Sequence, residues 1–482
     1  MKYSFFGILL FTFSFLSGQR VVSATTLQTQ TASSLNVLLL LSGTSVRVDY
    51  DVELVRLEYE TIGSDGLPDV ASGLMLYPLG LSNELPLHAH FHGTTTRDAV
   101  PSTLDGGYEL GLVYAGKGHF VIMPDYIGMG VSRGFHPYVH RETQATAGLD
   151  MAFAAQEYVD SREDIALSQI LTIAGYSQGG HAAMSFQQLI ENQYADQFDL
   201  IASTPMSGPY DLSGQFKDFI FSNNEYFYPG YILYQLIGYN IVYGSLYENL
   251  GDILKEPYLE PAESFASTGT NLGSLQNELI DLLVENEGQS IPIKMFKDEY
   301  IFGFMEDNDH PLNVALGDND TYNFTAQAPT RIIYCTADDQ VPFKNSLTAD
   351  SVLNDNGAIN TSSIDISPTS DHGGCVFPAV EESLRFIGEF LKSTSTYDYI
   401  LDEELVNVYP NPSVDVLNVE MIDNFGDYIQ MNIFDTQARL VKSSEIRNRN
   451  KGQLNISNLV PGTYVVEISN GIGSAFRKII KQ

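Results

Sequence analysis

The sequence predicts an α/β protein: a doubly wound, mostly parallel sheet carrying a helical cap insertion, followed by a small all-β sandwich. Three observations predict it. Short apolar runs alternate with helical patterning from residue 46 to 391, as strands and crossover helices do. That alternation stops between about 211 and 328, an interval too long for a loop. Beyond 406 only short alternating strands remain, with turn signals such as Tyr409-Pro410-Asn411-Pro412 and Val460-Pro461-Gly462.

Residues 1–24 read as an export signal, with Lys2, an apolar run over 5–16 and then Ser17-Gly18. Cleavage is expected after Gly18 or after Ala24. Neither that run nor the one at 37–41 is long enough to cross a bilayer, so no integral membrane segment is expected in the mature chain. Residues 25–395 form the expected catalytic body. Valine-rich alternation over 46–60, a turn at Gly63-Ser64-Asp65-Gly66 and a strand at 73–77 predict an antiparallel hairpin. Strands follow at 85–92, 120–124, 170–174 and 200–204, with helices at 108–116, at 147–158 and from His181. The insertion at 211–328 carries tyrosines at 226, 228, 231, 234, 239, 243 and 247. It is either a cap whose aromatic face forms a substrate pocket or a set of helices that only packs on the sheet. Alternation resumes with a strand at 331–335, a helix from Asn345, a strand at 364–366 and a helix at 379–391. A linker at 396–405 leads to the β unit at 406–482.

The formal charge of −35 argues against nucleic acid and against docking on anionic membranes. It is unevenly spread. Residues 401–482 hold 10 acidic and 8 basic residues, leaving 50 and 17 upstream, which suggests two units of separate origin.

Chemistry is sought first at Gly175-Tyr176-Ser177-Gln178-Gly179, where an apolar strand meets a helix at a glycine-framed serine. Such a turn lifts the serine oxygen above the sheet and sets helix-opening N–H groups beside it. Gly130-Val131-Ser132-Arg133-Gly134 matches the same pattern, but Phe135-His136-Pro137 opens no helix after it, so Ser132 reads as part of a glycine-rich loop. A serine needs a histidine to take its proton and an acid to orient that histidine, in the chain order serine, acid, histidine for this architecture. Asp338 follows the strand at 331–335, with Asp339 as its competitor. Of nine histidines only His372 lies beyond it, in an expected loop at Ser370-Asp371-His372-Gly373-Gly374. The oxyanion donors are expected to be the N–H groups of Gln178 and of Thr94, the latter in His92-Gly93-Thr94. His88, His90 and His92 alternate on a strand, and His136 and His140 have helical spacing without a zincin glutamate; no metal site is assigned.

With these residues placed, the body resembles the α/β-hydrolase superfamily, and within it the secretory lipases and bacterial esterases. The motifs are His92-Gly93-Thr94, Pro124-Asp125-Tyr126-Ile127-Gly128, His136-Pro137-Tyr138, the Ser177 turn and Asp338-Asp339-Gln340-Val341-Pro342. The resemblance implies a cap after the sixth strand and hydrolysis of carboxylic esters of small molecules or lipids by Ser177, His372 and Asp338, without a cofactor. Residues 406–482 resemble the C-terminal sorting domain of the type IX secretion system of Bacteroidetes, through Tyr409-Pro410-Asn411-Pro412-Ser413, Leu459-Val460-Pro461-Gly462-Thr463-Tyr464 and the basic ending Arg477-Lys478-Ile479-Ile480-Lys481. That implies partnership with the secretion machinery and a secreted or surface location. Alternatives are a prolyl-oligopeptidase-type peptidase, which would need an N-terminal propeller, and a non-catalytic binding protein on a hydrolase scaffold. In a fold of this kind the acid and histidine loops lie side by side, so Cys335 and Cys375, the only cysteines, are expected to form a disulfide rather than stay two thiols.

Overall fold

A computed structural model describes residues 20–81, 84–391, 406–421, 429–446, 451–469 and 474–482. The expected cleavage at Gly18 and the linker at 396–405 fall outside them. Nine strands form one sheet in the order β1-β2-β3-β5-β4-β6-β7-β8-β9. The first is β1 (Val21–Gln30), paired antiparallel with β2 (Val52–Ile62), which in turn forms a hairpin with β3 (Pro68–Pro78). The hairpin turns at Gly63 and Gly66. Gly66 has φ 75°, a left-handed conformation that glycine adopts without penalty.

The parallel block holds β4 (Leu85–Phe91), β5 (Phe120–Pro124), β6 (Leu167–Tyr176), β7 (Asp199–Met206), β8 (Thr330–Tyr334) and β9 (Thr361–Asp365). One face packs against α3 (Arg141–Asp160) and α4 (Gln178–Leu189) through residues such as Phe91, Ile173, Met151 and Phe186. The other packs against α2 (Glu109–Gly116) and α13 (His372–Phe390), through Val121, Ala174, Tyr114 and Phe386. Burial on both faces is why these strands read as continuous apolar runs rather than alternating ones.

Between β7 and β8 the chain is helical: α5 (Lys217–Ile220), α6 (Pro229–Tyr243), α7 (Leu250–Ile253), α8 (Leu259–Thr268), α9 (Leu272–Glu287), α10 (Asp298–Glu306) and α11 (Pro311–Asp318). These helices have their own core, including Leu233, Tyr239, Phe265, Leu279 and Phe304, which also takes in Tyr138 and Val139. Helix α12 (Lys344–Asp355) follows β8.

Two parts depart from the sequence reading. The first is the N-terminal segment. β1 is a mostly exposed edge strand whose apolar residues, Val21, Val22, Ala24 and Leu27, do not alternate to reveal it, and cleavage after Ala24 would remove its first four residues. After it comes α1 (Ala32–Leu41), capped by Thr31. Its apolar residues are shared between two covered sides: Leu35 and Leu39 meet the body, and Val37 meets Phe434, Val465 and Phe476 of the C-terminal unit. The second departure is the last helix, which begins at His372 and not at Ala379. Asp371 caps it by accepting from the Gly374 N–H, and Pro378 lies within its second turn.

The C-terminal unit has a three-stranded sheet of β10 (Val406–Tyr409), β11 (Val416–Met421) and β14 (Lys451–Asn455). Facing it is a four-stranded sheet of β12 (Ile429–Phe434), β13 (Leu440–Ile446), β15 (Gly462–Ser469) and β16 (Ser474–Lys481). All their pairings are antiparallel, and Leu417, Val419, Met431, Ile433, Leu454 and Val466 make one core between the sheets. It is the small all-β sandwich.

Candidate active site

Strand β6 ends at Tyr176 and α4 begins at Gln178, so Ser177 is the single residue between them. Its φ of 59° and ψ of −121° are costly for a residue with a Cβ. Close backbone packing imposes this turn and fixes its neighbours as glycine. A Cβ on Gly175 would stand 2.1 Å from the Gly179 carbonyl oxygen, and one on Gly179 would stand 2.0 Å from that of Phe91. The Ser177 N–H donates to the Met206 carbonyl at 2.9 Å, tying the turn to β7.

Ser132, in the matching pattern, is held otherwise. It is fully buried, donates to Asp69 Oδ2 at 2.7 Å and accepts from the Gly128 N–H at 2.9 Å. That is a bracing role with no free nucleophile.

Past the C-terminal ends of the parallel strands β8 and β9, as Ser177 is past that of β6, His372 Nδ1 lies 2.7 Å from Asp338 Oδ2. The other carboxylate oxygen of Asp338 accepts from the N–H groups of Gln340 and Val341 at 2.9 and 2.8 Å. With Oδ2 facing the ring, the Nδ1 atom of His372 carries the proton and Nε2 is left as the basic nitrogen. Asp339 binds elsewhere, accepting from the His372 backbone N–H at 3.1 Å and from the Tyr228 hydroxyl at 3.1 Å. Tyr176 donates to the His372 carbonyl at 2.6 Å, so the residue before Ser177 also grips the histidine. Cys335 and Cys375 are joined by a disulfide with Cα atoms 6.1 Å apart, and both are fully buried.

The loop after β4 runs beside the nucleophile. A Cβ on Gly93 would stand 3.4 Å from the Tyr176 carbonyl oxygen and 3.9 Å from Ser177 Cβ. The loop is fixed by Tyr126, whose hydroxyl donates to the His92 carbonyl at 2.8 Å, and by His92 Nδ1, which is 2.8 Å from the Gly93 carbonyl oxygen. Among the described residues neither the Gln178 nor the Thr94 backbone N–H has an acceptor. The side chains of both are engaged: Thr94 Oγ1 is 2.7 Å from the Tyr138 hydroxyl, and Gln178 Nε2 is 2.8 Å from His136 Nε2. Periodicity and motif spacing carried no sign of these two contacts, since they join segments about 40 residues apart in sequence.

Several other histidines are held by neighbouring groups. His88 Nδ1 pairs with Thr172 Oγ1 at 2.8 Å, His136 Nδ1 with the Ile127 carbonyl at 2.8 Å, and His140 Nδ1 accepts from the Thr143 N–H. Burial pushes His90 and His136 down to about 3, and His92 and His140 to about 4, so they are neutral near pH 7. Among the described residues no group of three or more His, Cys, Asp or Glu is arranged to hold a metal ion.

A narrow pocket is lined by Ser177, Gln178, Tyr138, Leu212, Tyr226 and Tyr231, among others, with about 10 Å³ of free space, roughly what one water needs. A second pocket shares Leu212, Phe216 and Gln235 with it and continues among Ile220, Phe221, Ile232, Leu236, Leu312 and Leu316. Together they mark a mostly apolar seam between Ser177 and the helical insertion, with free space for about one water in each.

Residues 407–482 match the family described as the secretion system C-terminal sorting domain. The chain thus carries a type IX sorting domain, which marks it for export to the cell surface or secretion. No helix among the described residues is long and apolar enough to cross a membrane. No curated protein matches the chain. Among solved structures, a provisionally assigned hydrolase from Legionella pneumophila subsp. pneumophila str. Philadelphia 1 is 22% identical with a TM-score of 0.70, covering 78% of this chain and 100% of its own. The rice cell wall degrading esterase LipA from Xanthomonas oryzae is 24% identical with a TM-score of 0.68, covering 79% and 100%. Candida antarctica lipase A is 15% identical with a TM-score of 0.60, covering 78% and 83%. These likenesses show that the body has the α/β-hydrolase fold.

Proposed function

We propose that this chain is an exported serine hydrolase that cleaves carboxylic esters with apolar acyl groups. The observation that carries the reading is the Asp338–His372 pair on the same sheet edge as the strained serine at position 177. In the proposed reaction His372 Nε2 takes the proton as Ser177 Oγ attacks the ester carbonyl, and Asp338 holds the ring through Nδ1. The tetrahedral oxyanion accepts from the N–H groups of Gln178 and Thr94, at the positive end of α4. Collapse breaks the carbon–oxygen bond to the alcohol, which leaves with the proton from His372. Water then attacks the acyl-enzyme by the same route and releases the acid. Every proton and electron pair passes between these groups and the substrate, so the chemistry calls for no cofactor.

The cap at 211–328 is proposed to open between Leu212 and Leu316 to take the acyl chain, along a lining that is apolar except for Lys217 and Gln235. Esterase and lipase neighbours on the same fold support the class of reaction. Labelling by a fluorophosphonate probe tests the reading directly. Ser177 should be the modified residue, and Ser177→Ala should lose both the label and turnover of p-nitrophenyl esters. An unlabelled, folded wild-type protein that still hydrolyses esters would overturn it.

A further inference from the structure

The two proposed oxyanion donors sit on different loops, yet their side chains are held by one three-residue segment. His136 faces Gln178, with 2.8 Å between Nε2 of each, and Tyr138 faces Thr94, with 2.7 Å between the hydroxyl oxygens. The His136 ring has one consistent state. Its Nδ1 donates to the Ile127 carbonyl at 2.8 Å, so Nε2 has a lone pair and accepts from the Gln178 amide. Burial keeps the ring neutral at any pH where an ester hydrolase works, so this acceptor is not lost by protonation.

The segment is itself fixed from above by α6. The Tyr138 ring stacks on Tyr234 with 4.6 Å between centroids and 6° between planes, and His136 meets the same tyrosine edge to face at 5.7 Å. Gly238, one turn further along α6, lies so close that a Cβ there would stand 2.8 Å from both the His136 carbonyl oxygen and the Tyr138 nitrogen. Helix, segment and donors therefore form one contact chain.

We propose that His136 and Tyr138 are positioning residues that hold the two oxyanion donors in mutual register, and that α6 sets that register through its contacts with Tyr234 and Gly238. The proposal rests on the serine-hydrolase reading above. Its chemistry follows from how oxyanion stabilisation works: N–H groups act on a developing charge only when already aimed at it, so a side chain that fixes the aim acts on the transition state and hardly on the bound ester.

The test uses the full-length protein and p-nitrophenyl butyrate. Tyr138→Phe and Thr94→Val each remove one oxygen of the same hydrogen bond and should lower kcat about tenfold, less than the hundredfold or more that follows loss of a donor itself. KM should stay within about twofold, because binding of the ground state does not use the donors' aim. The double variant should be no slower than the slower single by more than about twofold, since both cut one interaction. His136→Leu should cost about a hundredfold in kcat, with part of it recovered in His136→Gln, which returns an acceptor for Gln178. Affinity for a boronate transition-state analogue should fall in step with kcat, a response that loosened packing alone would not produce.

Melting temperature checks that each variant is folded, and Thr94→Val carries the test if Tyr138→Phe does not fold. Unchanged kcat, multiplying losses in the double variant, or losses confined to KM would overturn the proposal. Fluorophosphonate labelling of the wild type separates the two claims. Label on Ser177 with unchanged kcat in the variants removes only the positioning role, whereas no label on Ser177 removes the hydrolase reading and this inference with it.

Discussion

The backbone N–H of His372 donates to Asp339 at 3.1 Å while its ring faces Asp338 at 2.7 Å, so adjacent carboxylates hold one histidine by two different atoms. Only the ring contact fixes a tautomer. Asp338→Asn should therefore lower kcat by about 10⁴, the scale seen when a triad acid is made neutral. Asp339→Asn keeps an oxygen for the backbone N–H and should cost no more than about tenfold, a shift in placement rather than in chemistry. Steady-state kinetics of both variants check this, and equal losses would return the two aspartates to the competition that the sequence left open.

Ser132 and Ser177 give the second contrast. Ser132→Ala should leave kcat within about twofold while lowering stability by about 1–3 kcal/mol, because the buried Asp69 oxygen and the Gly128 N–H both lose a partner. Ser177→Ala should abolish turnover, by about a millionfold in kcat, since triad members act as a unit. It should not destabilise the fold, as the strained turn is imposed by backbone packing and not by the hydroxyl. Urea unfolding of the two variants alongside their kinetics separates the roles.

How much of this site was legible in the sequence depended on whether its signal was local. The Ser177 turn was legible because its requirement for glycine is written within five residues, and Asp338 and His372 followed from chain order and strand ends. The edge strand β1 was not, since Thr25–Gln30 pairs with β2 through its backbone while its exposed polar side chains carry no pattern. Helix α1 hid for another reason: Val37 and Leu39 face different domains, and its polar residues, Ser33, Ser34 and Asn36, stop at its first half, so no polar stripe runs its length. The grip of His136 and Tyr138 on Gln178 and Thr94 is tertiary. The His136-Pro137-Tyr138 motif was visible, but its partners were not.

The mostly apolar seam beside Ser177 gives a specificity prediction. Leu236 is buried on α6 at its inner end, beyond Gln235. Leu236→Trp should fill that end and lower kcat/KM for a dodecanoyl ester by at least about tenfold, the scale of a few methylenes in a fitted pocket, with little change for acetyl or butyryl esters. A series of p-nitrophenyl esters measures the ratio. A uniform loss at every chain length would mean that the acyl group lies elsewhere.

Acid should destabilise the protein early. Burial holds His90, His136 and His181 down to about 3, His92, His119 and His140 to about 4, and lowers His88 well below its ordinary value. Unfolded, each titrates near 6.5. Below that pH the unfolded chain binds protons that the folded one refuses, so each group lowers stability as the pH falls toward its folded value. Asp320, raised to about 6 by burial, works the other way over part of the range, as do Asp125, Asp150 and Glu191, which burial also raises, but these are four carboxyl groups against seven rings. Calorimetry should show the melting temperature falling steeply between pH 7 and 5. A flat profile down to pH 4.5 would contradict the buried, neutral state of these rings.

The last prediction concerns the disulfide. Cys335 ends the segment that leads to Asp338, and Cys375 lies in the first turn of the helix that His372 opens, so the bond ties together the two loops that must meet for Asp338 to orient the histidine. Closing a 40-residue separation constrains the unfolded chain by about 4 kcal/mol in the loop-entropy model. The closed loop holds α12, β9 and the start of α13, whereas the central strands around Ser177 lie outside it and keep their own pairings. Reduction should therefore act on the loops before the sheet. Both sulfurs are buried, so a reductant at neutral pH should act slowly in the native state, and Cys335→Ala/Cys375→Ala gives the cleaner comparison. In that variant turnover of p-nitrophenyl butyrate should fall by at least about tenfold at a temperature where far-ultraviolet circular dichroism still reports the native sheet, since a misplaced base costs rate steeply. Fluorophosphonate labelling of Ser177 should slow in parallel, because activation of the serine and not access to it is impaired. Activity and dichroism lost together along one melting curve would show that the bond supports the whole body, and that the two loops need no separate tether.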